Sequence, residues 1–147
     1  MTVRVSVRRE AFDVTAEMRE LGSAGVGGIG CFVGVVRGGD GLSALTLEHY
    51  PGMTERAITA IADEATRRFE LLGCTVIHRI GRLAVGEPIV LVLAAAGHRG
   101  AALEATAFLI DWLKTRAPFW KLEEFADGSQ RWVEARETDD IAAARWA

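Results

Sequence analysis

The chain has 147 residues, half of them apolar, and a net charge of −3 at pH 7. This length predicts one domain, residues 1–147, and the apolar share is large enough for a substantial core. The acidic balance and the absence of a basic run argue against a nucleic-acid-binding protein. The longest apolar run, residues 89–96, is too short to cross a bilayer.

The two cysteines, Cys31 and Cys74, stand alone, without the spacing of a zinc site or of a disulfide framework. The N-terminal residues lack the apolar core of a signal peptide. The sequence contains no metal-ligand spacing and no catalytic Ser-His-Asp or Cys-His arrangement. We therefore expect a reduced, cytoplasmic protein without a metal or a cofactor.

The first elements alternate between strand and helix. Valine alternates with polar residues at positions 3–8, which predicts a half-exposed strand. Asp13 is placed to cap a short helix over residues 14–21. The glycine-rich run at residues 25–30 precedes a strand that ends at Arg37, whereas a phosphate-binding loop precedes a helix. This run is therefore not predicted to bind a nucleotide.

A glycine-rich turn at residues 38–41 is predicted to join that strand to a returning strand, residues 43–50, as a hairpin. Thr54 is predicted to cap the long helix that follows. The next strand contains His78, which we predict to be a hydrogen-bonded structural histidine rather than a ligand. The apolar run at residues 89–96 is typical of a strand in the middle of a sheet.

Lys114 and Lys121 are the only lysines, so that the other fifteen of the 17 basic residues (17 less these two) are all arginine. A guanidinium stays protonated, whereas an amine can lose its proton when it is desolvated or crowded by other cations. Two interpretations fit this distribution: a site that needs a titratable amine, or two lysines that lie on a solvated surface.

Residues 100–116 have the pattern of a helix that ends before Pro118. Lys114 continues an apolar row formed by Leu103, Ala107 and Ile110 along this helix. Because the helix is apolar on more than one face, we expect it to be buried against a sheet or a second subunit. Lys114 is then expected to be half-buried and the deeper of the two lysines.

Residues 119–125 are predicted to form a short strand, with Phe119, Lys121 and Glu123 on one face. Lys121 and Glu123 are therefore candidates for one site. A turn at residues 127–129 and a further strand are predicted to follow.

The last predicted strand covers residues 130–135. The charged tail after it, residues 136–147, ends near Trp146. This tail fits either a docking arm or a frayed end.

His98 and Arg99 follow the apolar run and open the lysine helix. Backbone N–H groups at a helix N-terminus, next to an arginine and a titratable histidine, suit an anion. The alternative is a polar loop in which His98 caps the helix and Arg99 is solvated. Arg37, at a strand end before a glycine-rich turn, is a third candidate for contact with an anion.

Five segments of the chain together resemble the large, catalytic subunit of molybdopterin synthase. They are, in that family's order, LEHYPGMTE at residues 47–55, VIHRIGRL at 76–83, the pair His98-Arg99, LKTRAPFWK at 113–121 and RWVEAR at 131–136. The segments are spread over nearly the whole chain, and the first and fourth are long and specific.

The resemblance implies an α/β hammerhead-type fold, with a mixed, mainly antiparallel sheet and packed helices, in a homodimer. Each large subunit would hold one small, ubiquitin-like carrier subunit, which gives a heterotetramer. The family converts cyclic pyranopterin monophosphate (precursor Z) to molybdopterin. The reaction transfers two sulfurs, and sulfur arrives as a thiocarboxylate on the carrier's C-terminal Gly-Gly tail.

The resemblance also assigns roles to six residues. By position, the family's active-site lysines correspond to Lys114 and Lys121, its substrate-binding residues correspond to Arg37, His98 and Arg99, and Glu123 follows the second lysine. We expect Lys114 to position the thiocarboxylate, and Lys121 to stabilise charge or move a proton on the substrate side.

The chain departs from the family's pattern at Val35, where a basic residue is frequent, and at Leu122, where relatives are often polar. The loop at residues 38–42 is also short and glycine-rich. A different class of protein fits the composition and the strand pattern equally well, namely a non-catalytic dimeric α/β module that binds an anionic metabolite or a partner's tail. Only the lysine pair and the long motifs favour the enzyme.

Overall fold

The computed structural model describes residues 2–22, 24–133 and 137–146, without the side chains of residues 137–140. The strands in these ranges are β1 (Thr2–Arg8), β2 (Gly28–Val35), β3 (Leu42–His49), β4 (Gly73–Arg79), β5 (Gly81–Ala84), β6 (Pro88–Ala96), β7 (Phe119–Phe125) and β8 (Gln130–Val133). The helices are α1 (Val14–Glu20), α2 (Met53–Phe69), α3 (Arg99–Thr115) and α4 (Glu137–Ala144). In the described ranges, no helix is long and apolar enough to cross a membrane.

The strands of the described residues form two four-stranded sheets. The first has the order β1-β4-β6-β2, in which β1 runs parallel to β4 and the other neighbours are antiparallel. The second has the order β5-β3-β7-β8 and is antiparallel throughout. The expected α/β fold with mainly antiparallel pairing and packed helices is confirmed, and its strands are divided between two sheets.

The predicted hairpin of β2 and β3 is wrong. β2 pairs with β6 in the first sheet, whereas β3 lies between β5 and β7 in the second. After β2, the N–H of Val36 donates to the carbonyl of Glu87 at 2.9 Å, and the carbonyl of Val36 accepts from the N–H of Gly86 at 2.8 Å. The chain therefore follows the first sheet as far as the turn before β6, and only then crosses to the second sheet.

β6 lies inside the first sheet, as predicted, and is apolar on both faces because helices cover both sides. On one side, Val92 belongs to a buried cluster that includes Ile58 of α2 and Leu109 of α3. On the other side, Leu91 belongs to a second cluster, which includes Leu21 at the end of α1.

The glycine-rich run at residues 25–30 allows α3 to lie directly on β2. A Cβ at Gly30 would overlap the hydroxyl of Thr106 and the carbonyl of Ala102, and a Cβ at Gly27 would overlap the carbonyl of Gly97. Only glycine lets two backbones approach so closely. The glycines at residues 25–30 are therefore explained by close packing, and not by phosphate binding.

The predicted cap at Thr54 is also wrong, because α2 begins at Met53 and its cap lies two residues before Thr54. Gly52 is the N-cap, with φ 83°, and its N–H donates to the carboxylate of Glu55 at 2.9 Å. Thr54 is fully buried, and its hydroxyl accepts from the N–H of Tyr50 at 3.0 Å and donates to the carbonyl of Pro118 at 3.0 Å. Thr54 thus joins the first turn of α2 to the segment that enters β7.

The C-terminal tail docks on its own chain through Trp146. The indole packs edge-on against Phe69 of α2 and Phe108 of α3, with ring centroids 5.9 and 5.5 Å apart. Its Nε1 donates to Asp111 Oδ2 at 2.6 Å, and Arg145 pairs with the same carboxylate at 3.2 Å. Of the two alternatives for the tail, the described part is therefore a docking arm. The last two residues of the predicted strand at 130–135 lie outside the described residues.

Candidate active site

A cavity of about 560 Å³ lies where the loop after β2, the end of α3 and the strands β7 and β8 meet. Its lining includes the charged and ionisable residues Arg37, Asp40, His78, Lys114, Lys121, Glu123 and Arg131. Four of the six residues that the sequence singled out are thus brought together from three separate segments, and the other two, His98 and Arg99, lie elsewhere.

Arg37 is exposed and begins the loop that crosses between the two sheets. This loop turns through Gly39, Asp40 and Gly41, with φ angles of 120°, 53° and 79°. Glycine adopts positive φ without steric cost, and aspartate tolerates the left-handed region better than most residues. The glycine-rich sequence therefore allows a tight crossing that leaves Arg37 and Asp40 beside the cavity.

Lys114 lies in the last turn of α3, where the negative end of the helix dipole favours a cation. It is exposed in the single chain, so that the expectation of a half-buried lysine is wrong there. The buried face of α3 instead contains Ala102, Ala105 and Leu109, and Leu103 of the predicted row is 62% exposed. The small alanines face the sheet because α3 lies so close to the glycines of β2.

Lys121 lies in the middle of β7, opposite Leu47 of β3 and Val133 of β8. It is half-buried, so that Lys121 and not Lys114 is the deeper lysine in the single chain. The cavity is lined by Phe119, Lys121 and Glu123, as the alternation along the strand predicted, and their neighbours on β7 face the other way. Lys121 is therefore held on a paired strand, whereas Lys114 is held at a helix end.

Glu123 lies opposite Arg131 in the antiparallel register of β7 and β8. The guanidinium donates from Nε and Nη2 to Glu123 Oε1, at 3.1 and 2.7 Å. Arg131 was not among the sequence candidates, although it lies in the segment RWVEAR. The turn predicted at residues 127–129 is centred on residue 128 and would place residue 131 opposite residue 125. The observed register is centred on residue 127, which places Arg131 opposite Glu123.

His78 lies on β4, is buried, and lines the cavity. Its Nδ1 lies 2.9 Å from the carbonyl oxygen of Arg79, so that Nδ1 carries the proton and donates. Burial, with the nearby charges of Lys121 and Lys114, lowers the pKa of His78 to about 4. The predicted hydrogen-bonded, structural histidine is confirmed, and its neutral ring also forms part of the cavity wall, which the sequence did not indicate.

His98 and Arg99 open α3, sixteen and fifteen residues before Lys114, which corresponds to about 22–24 Å along the helix axis. Both are exposed, and neither lines the cavity of its own chain. His98 occupies the N-cap position, but its side chain makes no capping hydrogen bond. The alternative in which His98 caps the helix is therefore wrong. In one chain the six candidates form two groups at opposite ends of α3.

Residues 7–116 match the protein family described as MoaE protein. The chain belongs to the MoaE family. Its resemblance to molybdopterin synthase catalytic subunits is confirmed by relatives of nearly the same length. The molybdopterin synthase catalytic subunit of Mesorhizobium japonicum is 56% identical over 146 residues, which cover 97% of this chain and 92% of that one.

Two solved structures extend the comparison. The molybdopterin biosynthesis MoaE protein from Burkholderia ambifaria is 46% identical, with a TM-score of 0.84, and the match covers 98% of this chain and 97% of that one. A chain in a protein–protein complex of subunits 1 and 2 of molybdopterin-converting factor from Helicobacter pylori is 22% identical, with a TM-score of 0.74 and 90% of each chain covered. At that identity the second likeness shows the fold alone.

In this MoaE chain the cavity suits an anion with several acceptor groups. Arg37, Lys114, Lys121 and Arg131 supply four positive charges, whereas Asp40 and Glu123 supply two negative charges. Arginine and lysine bind phosphate through charge-assisted hydrogen bonds. Within the described ranges, no group of three His, Cys, Asp or Glu side chains is placed to hold a metal ion.

Proposed function

We propose that this MoaE chain is the catalytic subunit of a molybdopterin synthase. It converts cyclic pyranopterin monophosphate to molybdopterin with two sulfurs from the thiocarboxylated C-terminus of a small carrier subunit. The observation that carries this proposal is that Lys114 and Lys121, seven residues apart in the chain, line one cavity together with Arg37. The 56% identity with a molybdopterin synthase catalytic subunit supports it.

The proposed chemistry matches the residues of the cavity. The substrate carries a phosphate, for which Arg37 and the lysines are suitable donors. Attack of a thiocarboxylate sulfur on the pterin joins the carrier to the pterin through a thioester. Water must then cleave the acyl–sulfur bond, which leaves the sulfur on the pterin and a carboxylate on the carrier, and both steps require proton transfers. A lysine can supply charge and also accept or donate a proton, whereas an arginine supplies charge alone.

The carrier's tail is proposed to enter the cavity near Lys114, at the exposed end of α3. A Gly-Gly terminus suits a narrow approach, since a backbone without Cβ atoms can pass close to other backbone. The Helicobacter pylori chain of the same fold was solved in a complex of two subunits, which is consistent with a carrier of this kind.

His98 and Arg99 require a second copy of the chain to reach a cavity. We propose a homodimer in which the N-terminal end of one α3 approaches the cavity of the other chain, within a heterotetramer that also contains two carriers. The exposure of both side chains and their distance from their own Lys114 support this arrangement. We further propose that residues 1–147 act as a single domain in the cytoplasm.

The test is reconstitution. The purified protein, given cyclic pyranopterin monophosphate and thiocarboxylated carrier, is expected to form molybdopterin, detected by chromatography and mass spectrometry. Carrier without its two terminal glycines is the control and is expected to give no product. Binding of the pterin without any product from intact carrier would contradict the enzyme and favour the non-catalytic module.

A further inference from the structure

Glu123 and Arg131 form a cross-strand ion pair inside the cavity wall. The two residues lie directly opposite each other on β7 and β8, and both line the cavity. The Glu123 side chain is 18% exposed and the Arg131 side chain is 68% exposed. Arg131 thus holds a largely buried carboxylate from the solvent side.

A second pair on the same strand has the same chemistry but faces away from the cavity. Arg82 of β5 donates from Nε to Glu124 Oε2 at 3.0 Å, and its side-chain exposure, 62% against 22% for Glu124, is similar. Neither Arg82 nor Glu124 lines the cavity. The pair Arg82–Glu124, one residue further along β7, therefore serves as a matched control: it is an Arg–Glu pair of similar exposure that does not line the cavity.

The geometry of the cavity pair leaves one carboxylate oxygen clear of the guanidinium. Both donors of Arg131 reach Oε1 of Glu123, at 3.1 and 2.7 Å, and neither reaches Oε2. A carboxylate that is fixed through one oxygen can accept a hydrogen bond through the other, in a defined direction. An exposed arginine adds little to stability through such a pair, so that its effect is expected on what binds in the cavity.

We propose that Arg131 is a positioning residue of the synthase. It fixes Glu123 in the cavity wall so that Oε2 accepts a hydrogen bond from an N–H or O–H group of the bound pterin. This inference rests on the proposed function. This role of Arg131 differs from a direct contact with the substrate's phosphate, because Arg131 acts through Glu123.

A double-mutant cycle on pterin binding and on turnover tests this role. The variants are Arg131→Gln, Arg131→Lys, Glu123→Gln and the double variant Arg131→Gln/Glu123→Gln, with Arg82→Gln and Glu124→Gln as matched controls. The readouts are the Kd of cyclic pyranopterin monophosphate by calorimetry, the kcat and KM of molybdopterin formation, and the midpoint of thermal unfolding.

Arg131→Gln is expected to raise the Kd and KM for the pterin about tenfold or more, the scale of a lost hydrogen bond to a charged group. Arg131→Lys is expected to recover part of this loss. In the Glu123→Gln background, Arg131→Gln is expected to have no further effect. Arg82→Gln and Glu124→Gln are expected to stay within about twofold of the wild type, and all variants are expected to unfold at similar temperatures.

Equal effects of Arg131→Gln and Arg82→Gln would overturn the inference. So would additive effects of the Arg131 and Glu123 changes, since these would make Arg131 an independent contact. Wild-type protein that binds the pterin but forms no molybdopterin would refute the proposed function alone. The role of Arg131 in pterin binding would still be tested by the Kd values of the variants. A wild-type protein that does not bind the pterin would refute both.

Discussion

His78 and Phe119 stack across the two sheets, with ring centroids 3.9 Å apart and ring planes 21° from parallel. His78 belongs to β4 of the first sheet and Phe119 begins β7 of the second. Both residues line the cavity. The stack therefore connects the buried part of one sheet to the strand that carries Lys121.

His78 is expected to make the stability of the protein depend on pH. Its pKa is lowered to about 4 in the folded chain, against 6.5 for an ordinary histidine. Between these values the unfolded chain binds a proton that the folded chain does not, so that the free energy of unfolding decreases as the pH falls. The loss begins near pH 6.5, is complete near pH 4, and amounts to about 3 kcal/mol.

Urea unfolding at a series of pH values between 7.5 and about 4 measures this effect. Because carboxylates also titrate in this range, the informative quantity is the difference between variants. His78→Gln is expected to remove the contribution of the buried ring and to flatten the dependence, whereas His98→Gln, at an exposed position, is expected to leave it unchanged. An identical pH dependence in wild type and His78→Gln would contradict the assignment.

The face of β7 that carries the site was predictable from the sequence. A strand has a side-chain period of two, so that the positions of Phe119, Lys121 and Glu123 share one side whatever the strand packs against. The central place of β6 was predictable for a similar reason, because a continuous apolar run requires cover on both faces. Local periodicity is sufficient for both conclusions.

The burial of α3 was not predictable in the same way. The helix is apolar on several faces, so that periodicity alone does not choose which face meets the sheet. The choice depends on shape: Ala102 and Thr106 fit against Gly30 of β2, and this leaves Leu103 and Lys114 on the exposed side. The wrong hairpin of β2 and β3 has a similar origin, since a turn signal does not specify which strands pair over long distances.

Gly30→Ala is expected to destabilise the fold by about 1–3 kcal/mol, the range for overpacking a close contact. The added methyl group would meet the Thr106 hydroxyl and the backbone of Ala102. Gly100→Ala is the control, because a Cβ at that position in the first turn of α3 meets nothing within 4 Å. It is expected to be neutral or to stabilise by up to about 1 kcal/mol. Chemical denaturation measures both, and a Gly30→Ala protein as stable as wild type would contradict the close packing of α3 on β2.

Thr54→Val is expected to cost about 1–3 kcal/mol of stability, because the isosteric change removes two part-buried hydrogen bonds, to the N–H of Tyr50 and the carbonyl of Pro118, from a fully buried side chain. Thr59→Val is the matched control on the same helix. Its exposed hydroxyl bonds only to the Glu55 carbonyl one turn earlier, and the change is expected to alter stability by less than about 0.5 kcal/mol. Comparable losses in the two variants would show that Thr54 does not join α2 to the entry of β7.

Lys114→Arg is expected to slow the single-turnover formation of molybdopterin by about 10²-fold or more, the scale of losing a general acid–base group. Arginine keeps the positive charge but does not release a proton. Because Lys114 is exposed at the end of α3, the larger guanidinium meets no obstacle from its own chain. Lys121→Arg would change both the capacity to release a proton and the packing around the side chain, since Lys121 is half-buried on a paired strand.

Lys114→Arg is therefore the cleaner test of whether the reaction needs an amine. The reaction is measured with saturating thiocarboxylated carrier, after confirming that each variant assembles as the wild type does. Arg116→Lys provides the reverse exchange two residues further on, at an exposed position that does not line the cavity, and is expected to keep the wild-type rate. A near-wild-type rate for Lys114→Arg would mean that Lys114 provides only charge. The use of lysine at this position, in a chain whose other basic residues are arginine except for Lys121, would then not indicate proton transfer.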